Sequence, residues 1–460
     1  MKVLFVITNI NGFHEIPYSF GLSSLASYIE LKGHTQQILD VRTTEEYDKL
    51  FDRIDDFKPD VVGFTSVSSQ FSCVSELAEK IREKHAQMKI VCGGVHTTIF
   101  PESVAECAAF DCVFVGESEH AFAGFLDALE ANEDWRGGNN IAFVTGGEVV
   151  VKDLNPLITD IGSLPFPAKG PLFEETIKAQ GTAIFFFSRG CPYQCTYCSN
   201  HAIAACYGLK TNRPRYRDVD SCLDEILETM EMYEFQKILI GDDTFGIDRK
   251  WRTDFLTKYK QDIDKPFHCL LRANLVDEEF IAQLKEAGCY RISFGVESGS
   301  EYIRNEVMKR NLSEKQIINA FHLCKKYGIE TIALNIIGVP GETEAMIKET
   351  VRLNRIIKPT GSGVNIFYPY KGTQLGDYCF SQGLVDEKMY YDFSNERRDS
   401  VLTFESEYKD ILRNYQDRWT LIVDPWNVKK RLVRFVYDHK YVHIIARYIK
   451  RSLSRILKKA

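Results

Sequence analysis

The sequence contains neither a long apolar run nor a repeated unit, and these absences exclude several classes of protein. No segment approaches the roughly 18 consecutive apolar residues of a membrane-spanning helix. No self-similar period of the kind found in solenoids or propellers is visible. The apolar N-terminal run at residues 2–8 is too short for a signal peptide, and no small-residue cleavage site follows it. We therefore expect a cytoplasmic protein that begins with a buried strand.

Positive charge is scarce over most of the chain. The 460 residues, enough for two or three domains, carry 64 Asp and Glu against 57 Lys and Arg, a net charge of −7. The basic residues are concentrated at the end, where residues 429–460 hold eleven Lys and Arg and the single acid Asp438. An acidic body lacks the basic surface that nucleic acids require. We expect no nucleic-acid partner.

The first part of the chain alternates between apolar strand-like segments and amphipathic helical segments, an α/β pattern. Five such strands with intervening helices predict a flavodoxin-like (Rossmann-type), doubly wound sheet over residues 1–131. Ligands of such sheets bind in the loops beyond the carboxyl ends of the strands. Residues 132–180 are polar and rich in Gly and then Pro, which predicts a linker containing a hairpin turn at residues 145–148. The strand-like segments are 2–8, 37–40, 61–65, 90–92 and 112–115.

A second series of alternating segments follows the predicted linker. Six strand-like segments with helical patterns between them predict a partial (β/α)6 barrel over residues 181–385, with its site at the carboxyl ends of the strands. Residues 386–460 are predicted to form a helical region that ends in a basic amphipathic tail. The six segments are 182–187, 238–240, 267–271, 290–294, 331–337 and 364–367.

Three of the thirteen cysteines form a tight group directly after the first barrel strand. Cys191, Cys195 and Cys198 follow the pattern C-x3-C-x2-C, whereas most of the others are scattered and are expected to be reduced, buried thiols. Gly190 and Pro192 keep this loop out of a regular helix. Each thiolate can bind one iron of a four-iron cluster. Three ligands then leave one iron open for a substrate.

Two other interpretations of the cysteine group remain open from the residues alone. His201 follows at a spacing that completes a Cys3His zinc site. The three cysteines could also be ordinary buried thiols. The zinc interpretation predicts a non-enzymatic, zinc-stabilised binding protein.

The cysteine spacing, with an aromatic residue before the last cysteine, strongly resembles the radical S-adenosylmethionine (SAM) superfamily. In that family the open iron of a [4Fe–4S] cluster binds SAM, and an electron from the cluster cleaves the sulfonium to methionine and a 5′-deoxyadenosyl radical. The resemblance implies that Cys191, Cys195 and Cys198 are cluster ligands and that Tyr197 lies against the adenine. It also implies an electron donor of the flavodoxin or ferredoxin type.

Polar residues at the ends of later barrel strands extend the resemblance to a SAM site. Asp242 and Asp243 end the second strand, where the family more commonly has Gly-Gly-Glu, and which carboxylate faces SAM is left open. Glu297 ends the fourth strand and resembles the carboxylate that binds the ribose hydroxyls. Gly338 ends the fifth and resembles the adenine-side segment. Arg272 ends the third; it could equally be a structural ion-pair partner, Glu297 a helix N-terminal carboxylate, and Gly338 a turn.

The order of the two predicted domains resembles the cobalamin (B12)-binding subclass of radical SAM enzymes over residues 1–375. The D-x-H-x-x-G motif that supplies a histidine below cobalt is missing, and the corresponding loop is Asn-Ile-Asn-Gly-Phe-His at residues 9–14. His96 could be an axial ligand, but a hydrogen bond to its own loop is the stronger expectation. The residues expected to contact cobalamin are Asn9, Gly12, Ser66, Ser68, Gly93, Gly94, His96, Thr97, Gly116 and Glu117.

The resemblance implies a cobalamin-dependent C-methyltransferase that acts on an unactivated carbon. Cyclisation, C–C coupling or rearrangement, with or without bound cobalamin, is the alternative within the family. The substrate is expected to enter at the domain interface. No residue identifies it, and no further catalytic residue is assigned.

The basic tail has its own pattern. Apolar residues recur at helical spacing with cationic residues between them, which predicts an amphipathic helix suited to an anionic membrane surface. The alternative is a solvated helix packed on the acidic body of the protein. If the tail contacts a membrane, a lipid-like substrate is a better expectation than a water-soluble small molecule. The apolar positions are Val442, Ile445, Ile449, Leu453 and Ile456.

Overall fold

The structure is a computed structural model, and the description is of residues 1–10, 18–392 and 396–424. Gly12 and the basic tail therefore lie outside the described residues. The strands are β1 (Lys2–Thr8), β2 (Thr35–Val41), β3 (Val61–Thr65), β4 (Lys89–Gly93), β5 (Cys112–Phe114), β6 (Ile141–Thr145), β7 (Glu148–Val151), β8 (Thr182–Phe185), β9 (Ser188–Arg189), β10 (Arg215–Tyr216), β11 (Lys237–Ile240), β12 (Phe267–Leu271), β13 (Cys289–Glu297), β14 (Glu330–Ile337) and β15 (Gly361–Ile366).

Helices connect most of these strands. They are α1 (Phe20–Leu31), α2 (Tyr47–Phe57), α3 (Phe71–Lys84), α4 (Val95–Ile99), α5 (Glu119–Glu130), α6 (Pro171–Gln180), α7 (Ser199–Cys206), α8 (Val219–Met232), α9 (Arg249–Asp262), α10 (Glu278–Glu286), α11 (Glu314–Lys326), α12 (Glu344–Ile357), α13 (Gln374–Ser381), α14 (Glu387–Tyr390) and α15 (Ser406–Val423). A π-helical turn, Tyr302–Val307, follows β13. Within the described ranges, no helix is long and apolar enough to cross a membrane.

The first sheet has the doubly wound topology that the sequence predicts. Strands β1 to β5 are parallel in the order β2-β1-β3-β4-β5. Separate apolar clusters cover its two faces, one containing Leu4 and Val62 and the other Val3 and Val61. The strands are continuously apolar because helices bury both faces of a parallel sheet. The predicted flavodoxin-like fold is confirmed.

The hairpin β6–β7 belongs to the first sheet, although it lies in residues 132–180, where the composition predicts a linker. β6 pairs antiparallel with β5, and β7 with β6, so two strands extend the edge of the sheet. The predicted turn is confirmed: Gly146 and Gly147 both have positive φ angles, 60° and 84°. The residues before β6 are polar and Gly-rich, which is typical of a linker and does not indicate further strands at the edge of the sheet. The boundary between the domains remains a prediction.

The second sheet is the predicted partial barrel. Its six strands are all parallel in the order β8-β11-β12-β13-β14-β15. Its core is rich in buried phenylalanines, among them Phe185, Phe245, Phe255 and Phe267. The helix α15 packs against β15, where the indole of Trp419 donates a 2.8 Å hydrogen bond to Ser362 Oγ. All six carboxyl ends lie at one edge, which makes that edge the natural position for a site.

The front sheet meets the barrel near this edge. Cys206, at the end of α7, donates its thiol hydrogen to the carbonyl oxygen of Thr98 at 3.3 Å. The rings of Phe20 and Phe186 lie 4.7 Å apart. Gly372, which follows β15, packs so closely on Ile99 that a Cβ there would lie 1.8 Å from the Ile99 carbonyl oxygen. These contacts bring the helices after β1 and β4 against the carboxyl edge of the barrel.

Candidate active site

The cysteine loop leaves β9 at the mouth of the barrel, and a buried carboxylate supports the backbone ahead of it. Asp242 accepts hydrogen bonds from the backbone N–H of Phe187 at 2.7 Å and of Ser188 at 3.2 Å, and from the Ser188 hydroxyl at 2.7 Å. Burial raises the pKa of Asp242 to about 7, although these three donors act against it. Asp242 therefore holds the strand that leads into the loop, and its carboxylate does not face the open site.

Its neighbour Asp243 is the carboxylate beside the cysteines. Asp243 is exposed, whereas Asp242 is fully buried. Burial raises the pKa of the Cys191 thiol, and the Asp243 carboxylate and Cys195 act in the same direction. Burial likewise raises the pKa of Cys198 to about 12, with Cys195, Asp243 and Cys191 adding to it. Of the two acids that the sequence left undecided, the structure turns Asp243 toward the loop.

The donor set fits an iron–sulfur cluster chemically. Cys195 is buried, Cys191 and Cys198 are half-buried, and the three thiols are close enough to influence one another electrostatically. Burial without compensation disfavours the thiolates, whereas a cationic cluster stabilises them. Within the described residues, no group of three or more His, Cys, Asp and Glu side chains is arranged to hold a single metal ion. A cluster differs from a single ion because each thiolate reaches a different iron.

A buried arginine that no sequence motif indicates connects three of the site residues. Arg310 Nη1 lies 2.8 Å from the Tyr197 hydroxyl, 3.3 Å from Glu297 Oε1 and 3.9 Å from Cys195 Sγ. Burial raises the pKa of Glu297, while Arg310 works in the opposite direction. Glu297 itself has a positive φ of 62°, a strained conformation for a residue other than glycine. Such strain is frequent at functional sites.

Arg272 supports the cysteine loop from the third barrel strand. Its guanidinium lies over the ring of Tyr193, 3.7 Å from the ring centroid. The amide of Asn274 donates a 3.3 Å hydrogen bond to the Tyr193 hydroxyl. Arg272 thus contacts the loop through a cation–π interaction.

Gly338 forms a turn at the end of β14. Its φ is +78°, and a Cβ there would lie 2.9 Å from Leu412 Cδ1. The Gly338 N–H donates a 2.5 Å hydrogen bond to Glu342 Oε2. Burial raises the pKa of Glu342 to about 8, although this bond lowers it. The requirement for glycine is explained by the turn itself.

A cavity of about 360 Å³ lies between the front domain and the barrel. The front domain contributes the loops that follow β3 and β4. The barrel contributes the cysteine loop, the end of β13 and the last two strands. The lining includes Val67, Ser68, Val95 and Ile99 on one side, and Tyr197, Cys198, Ser199, Glu297, Asn335 and Tyr370 on the other.

His96 is bound to its own loop, as the sequence analysis expected. Its Nδ1 lies 3.0 Å from Ser68 Oγ, and its ring lies 4.3 Å from that of Phe71. Burial lowers the pKa of His96 to about 3, with Lys371 adding to the effect. The imidazole is therefore neutral, and its Nε2 is buried.

Several other residues that are expected to contact cobalamin form hydrogen bonds or close contacts with the backbone of their own domain. The Thr97 hydroxyl is fully buried and donates to the Phe114 carbonyl oxygen at 2.9 Å, so it cannot meet a ligand in this arrangement. The Ser66 hydroxyl donates to the carbonyl oxygen of Val67 at 2.9 Å. A Cβ on Gly94 (φ +103°) would lie 2.6 Å from the Ser66 carbonyl oxygen. The glycine is thus required by the loop itself.

The remaining expected contacts divide between strand ends and the domain interface. Gly93 ends β4, and Asn9, which follows β1, donates its backbone N–H to the Val41 carbonyl oxygen at 2.9 Å. Glu117 forms two bonds with Arg215, of 2.9 and 2.6 Å. Its neighbour Gly116 packs under the barrel residue Tyr207, whose hydroxyl accepts the Glu117 N–H at 2.8 Å. Gly116 and Glu117 thus make contacts between the domains, and their contact with cobalamin stays a prediction.

Family models match both parts of the chain. The radical SAM superfamily model matches residues 185–353, and the B12 binding domain model matches residues 8–126. The first match contains all three motif cysteines and the ends of β11 to β14. It favours the iron–sulfur interpretation of the cysteine loop over the zinc interpretation.

Curated relatives resemble most of the chain. An uncharacterized methyltransferase of Pyrococcus horikoshii is 29% identical over 79% of each chain. The cytidylyl-2-hydroxyethylphosphonate methyltransferase of Streptomyces wedmorensis is 26% identical, covering 82% of this chain and 81% of its own. The anaerobic magnesium-protoporphyrin IX monomethyl ester cyclase of Rubrivivax gelatinosus is also 26% identical, over 85% of this chain and 72% of its own.

Two solved structures share the fold. The radical SAM methyltransferase TsrM of Kitasatospora setae, solved with cobalamin and a [4Fe–4S] cluster, aligns with a TM-score of 0.69 at 18% identity, over 83% of this chain and 78% of its own. The cobalamin-dependent radical SAM enzyme OxsB aligns with a TM-score of 0.65 at 19% identity, over 86% of this chain and 56% of its own. By these matches the chain carries a radical SAM domain and a B12-binding domain, and its cofactors are a [4Fe–4S] cluster, SAM and cobalamin.

Proposed function

We propose that the protein is a cobalamin-dependent methyltransferase that cleaves SAM and methylates an unactivated carbon of a small molecule. One observation carries the proposal: a single cavity is lined both by Cys198 and Tyr197 of the cysteine loop and by Val67 and Ser68 of the front domain. When bound, the cofactors supply the radical and the methyl group. The protein must place a substrate C–H between the SAM-derived radical and the methyl donor. This cavity lies between the cysteine loop of the barrel and the loops after β3 and β4 of the front domain.

On the barrel side, the proposed roles follow from position. Cys191, Cys195 and Cys198 would hold the cluster. Asp243, exposed beside them, suits the cationic amino group of SAM. Glu297 lines the cavity, and its carboxylate suits the ribose hydroxyls as a hydrogen-bond acceptor.

On the front side, the lining is mostly apolar. Val67, Val95 and Ile99 would exclude water from the reacting centre. His96 Nδ1 is bonded to Ser68, and His96 is not among the residues that line this cavity, so we expect it not to bind cobalt. Cobalamin would then be held without a ligand from this histidine.

A second candidate is a cyclisation reaction. The relative of Rubrivivax gelatinosus named as a cyclase is as similar to this chain as the phosphonate methyltransferase is, at 26% identity each. The two candidates differ in whether the methyl group of SAM enters the product.

We further propose a cytoplasmic enzyme that receives electrons from a flavodoxin or ferredoxin and contacts membranes through its basic tail. The support for the membrane contact is the pattern of residues 429–460, whose eleven Lys and Arg would attract anionic lipids. Neutral vesicles should then bind the full chain less than anionic vesicles do. Equal binding to both would contradict this part of the proposal.

The decisive experiment is anaerobic reconstitution of the full chain, with iron, sulfide and corrin measured. Dithionite and SAM are then added, and 5′-deoxyadenosine is quantified. To test methylation, the reconstituted protein is incubated with methyl-deuterated SAM and an extract of the source organism. A labelled product supports the methyltransferase, and an unlabelled cyclised product supports the cyclase. Absence of 5′-deoxyadenosine would contradict both.

A matched pair of cysteine variants controls this experiment. Cys195→Ala should abolish 5′-deoxyadenosine because the cluster loses one of its three ligands. Cys206→Ser, eight residues beyond Cys198, keeps a donor toward Thr98 and should leave the product unchanged. Equal activity of Cys195→Ala and the unmodified chain would contradict the cluster assignment.

A further inference from the structure

Arg310 is a buried cation in contact with one of the motif cysteines. It lies between the π-helical turn Tyr302–Val307 and α11, far from the motif in sequence. Its Nη1 is 3.9 Å from Cys195 Sγ and 2.8 Å from the Tyr197 hydroxyl. Its Nη2 donates a 2.6 Å hydrogen bond to the Gly295 carbonyl oxygen. The guanidinium is thus fixed between the cysteine loop and β13.

A second buried arginine supports this position. The backbone N–H of Arg310 donates to the Arg304 carbonyl oxygen at 3.0 Å. The Arg304 side chain is fully buried and donates to the carbonyl oxygens of Leu312 at 2.6 Å and Ser298 at 2.9 Å. Arg304 therefore joins the two ends of the segment 298–312, which contains Arg310.

Arg310 is one of several charged side chains around the cysteine loop. The counter-charge is Glu297, whose Oε1 lies 3.3 Å from Nη1. Arg272, another buried cation near the loop, lies over Tyr193. Asp243 is the carboxylate beside Cys191 and Cys198. The cation that touches Cys195 is thus Arg310.

We propose that Arg310 is a positioning residue that raises the reduction potential of the cluster through Cys195, with Glu297 opposing it. This inference rests on the proposed assignment of the cluster to the three cysteines. Reduction adds one electron to a cluster held by three thiolates, and a nearby cation stabilises the more negative state. The effect is strong because buried charges are poorly screened. Net charge and hydrogen bonds to sulfur are general determinants of cluster potential.

The test is a redox titration of the anaerobic, reconstituted full chain without SAM, followed by electron paramagnetic resonance. At the midpoint potential of the unmodified protein, Arg310→Met should lower the ratio of reduced to oxidised cluster at least about tenfold, equivalent to about 59 mV for one electron. Glu297→Gln should shift the ratio in the opposite direction. Arg310→Lys retains the charge and should lie between the Met variant and the unmodified protein.

Opposite shifts separate a charge effect from general damage to the site. Glu342→Gln is the matched control, because Glu342 is also a buried carboxyl at a strand end but bonds to Gly338 instead. It should leave the potential unchanged. If Arg310→Met does not hold four irons, the other two variants decide. The inference is overturned if Glu297→Gln does not raise the reduction potential. It is also overturned if Arg310→Lys shifts the potential in the same direction as Glu297→Gln does.

The outcomes also distinguish this inference from the proposed function. An unmodified chain that cannot hold four irons contradicts the proposed function. An unmodified chain that holds the cluster and cleaves SAM, with Arg310 and Glu297 variants at unchanged potential, contradicts the inference alone.

Discussion

Arg189 and Glu119 form a 2.6 Å ion pair that joins the strand before the cysteine loop to the front domain. Both side chains are largely buried, with 18% and 6% of their surface exposed. The Ser24 hydroxyl donates to the same Glu119 oxygen at 3.1 Å. Glu117 and Arg215 form a second pair beside them, and Arg189 lies 3.6 Å from Glu117. The loop that would hold the cluster is therefore fixed against the domain that would hold cobalamin.

Removal of the cation from this pair should be costly. Arg189→Met leaves Glu119 buried without its partner, which typically costs about 3–5 kcal/mol. Urea denaturation of the full chain, followed by circular dichroism, measures the change in the free energy of unfolding. Arg249→Met is the control, because both side chains of the Arg249–Glu279 ion pair are exposed. The loss there should be about 1 kcal/mol or less.

The double variant Arg189→Met with Glu119→Gln provides a further check. It removes the unpaired charge, so part of the lost stability should return. Equal stability of the single and double variants would show that the ion pair does not account for the effect.

The sequence predicted the parts of the molecule that local patterns specify. Each of the six strands of the barrel sheet overlaps a short apolar segment of the sequence, and the cysteine spacing lies within eight residues. Arg310 and Arg189 were missed because their partners are distant in sequence: Cys195 lies 115 residues from Arg310, and Glu119 lies 70 residues from Arg189. A lone arginine in a polar segment has the pattern of a solvated side chain. Only the folded chain brings these charges together.

The two adjacent aspartates should respond differently to neutralisation. Asp243→Asn should raise the KM for SAM in 5′-deoxyadenosine formation at least about tenfold, because a hydrogen bond between charged groups contributes about 1.5–3 kcal/mol. Asp242→Asn should change KM little, since Asp242 bonds to Phe187 and Ser188. Steady-state kinetics on reconstituted protein measures both. A larger KM effect from Asp242→Asn would reverse the assignment of the carboxylates.

Asp242 should also make stability depend on pH. Its pKa is raised by burial from 3.8 to about 7, so between these values the folded state binds more protons than the unfolded state. Its stabilising contribution is therefore present below pH 4 and is lost as pH rises through 7. The loss amounts to at most about 4 kcal/mol over three pH units. Glu342, with a pKa of about 8, acts in the same direction.

Asp242→Asn separates the two contributions. The variant should show a smaller decline in thermal midpoint between pH 5 and pH 8 than the unmodified protein, and Glu342→Gln should do so independently. Parallel pH profiles for all three proteins would contradict the protonation of these carboxyls.

The contact between Gly116 and Tyr207 tests the domain interface directly. Gly116 has a φ of +76°, and a Cβ there would lie 2.2 Å from the Tyr207 hydroxyl oxygen. Gly116→Ala should therefore displace Tyr207 as well as strain the backbone. Gly146→Ala is the matched control, because Gly146 also has a positive φ, +60°, but no atom lies within 4 Å of its Cβ position. The control isolates the backbone cost, about 1–2 kcal/mol.

The interface variant should affect function as well as stability. If Tyr207 couples the cysteine loop to the front domain, Gly116→Ala should lower methyl transfer more than it lowers 5′-deoxyadenosine formation, because SAM cleavage requires only the barrel side. Adding Tyr207→Ala relieves the clash and should recover part of the thermal midpoint. A Gly116→Ala variant that loses no more stability than Gly146→Ala would show that the two domains do not pack through this contact in solution.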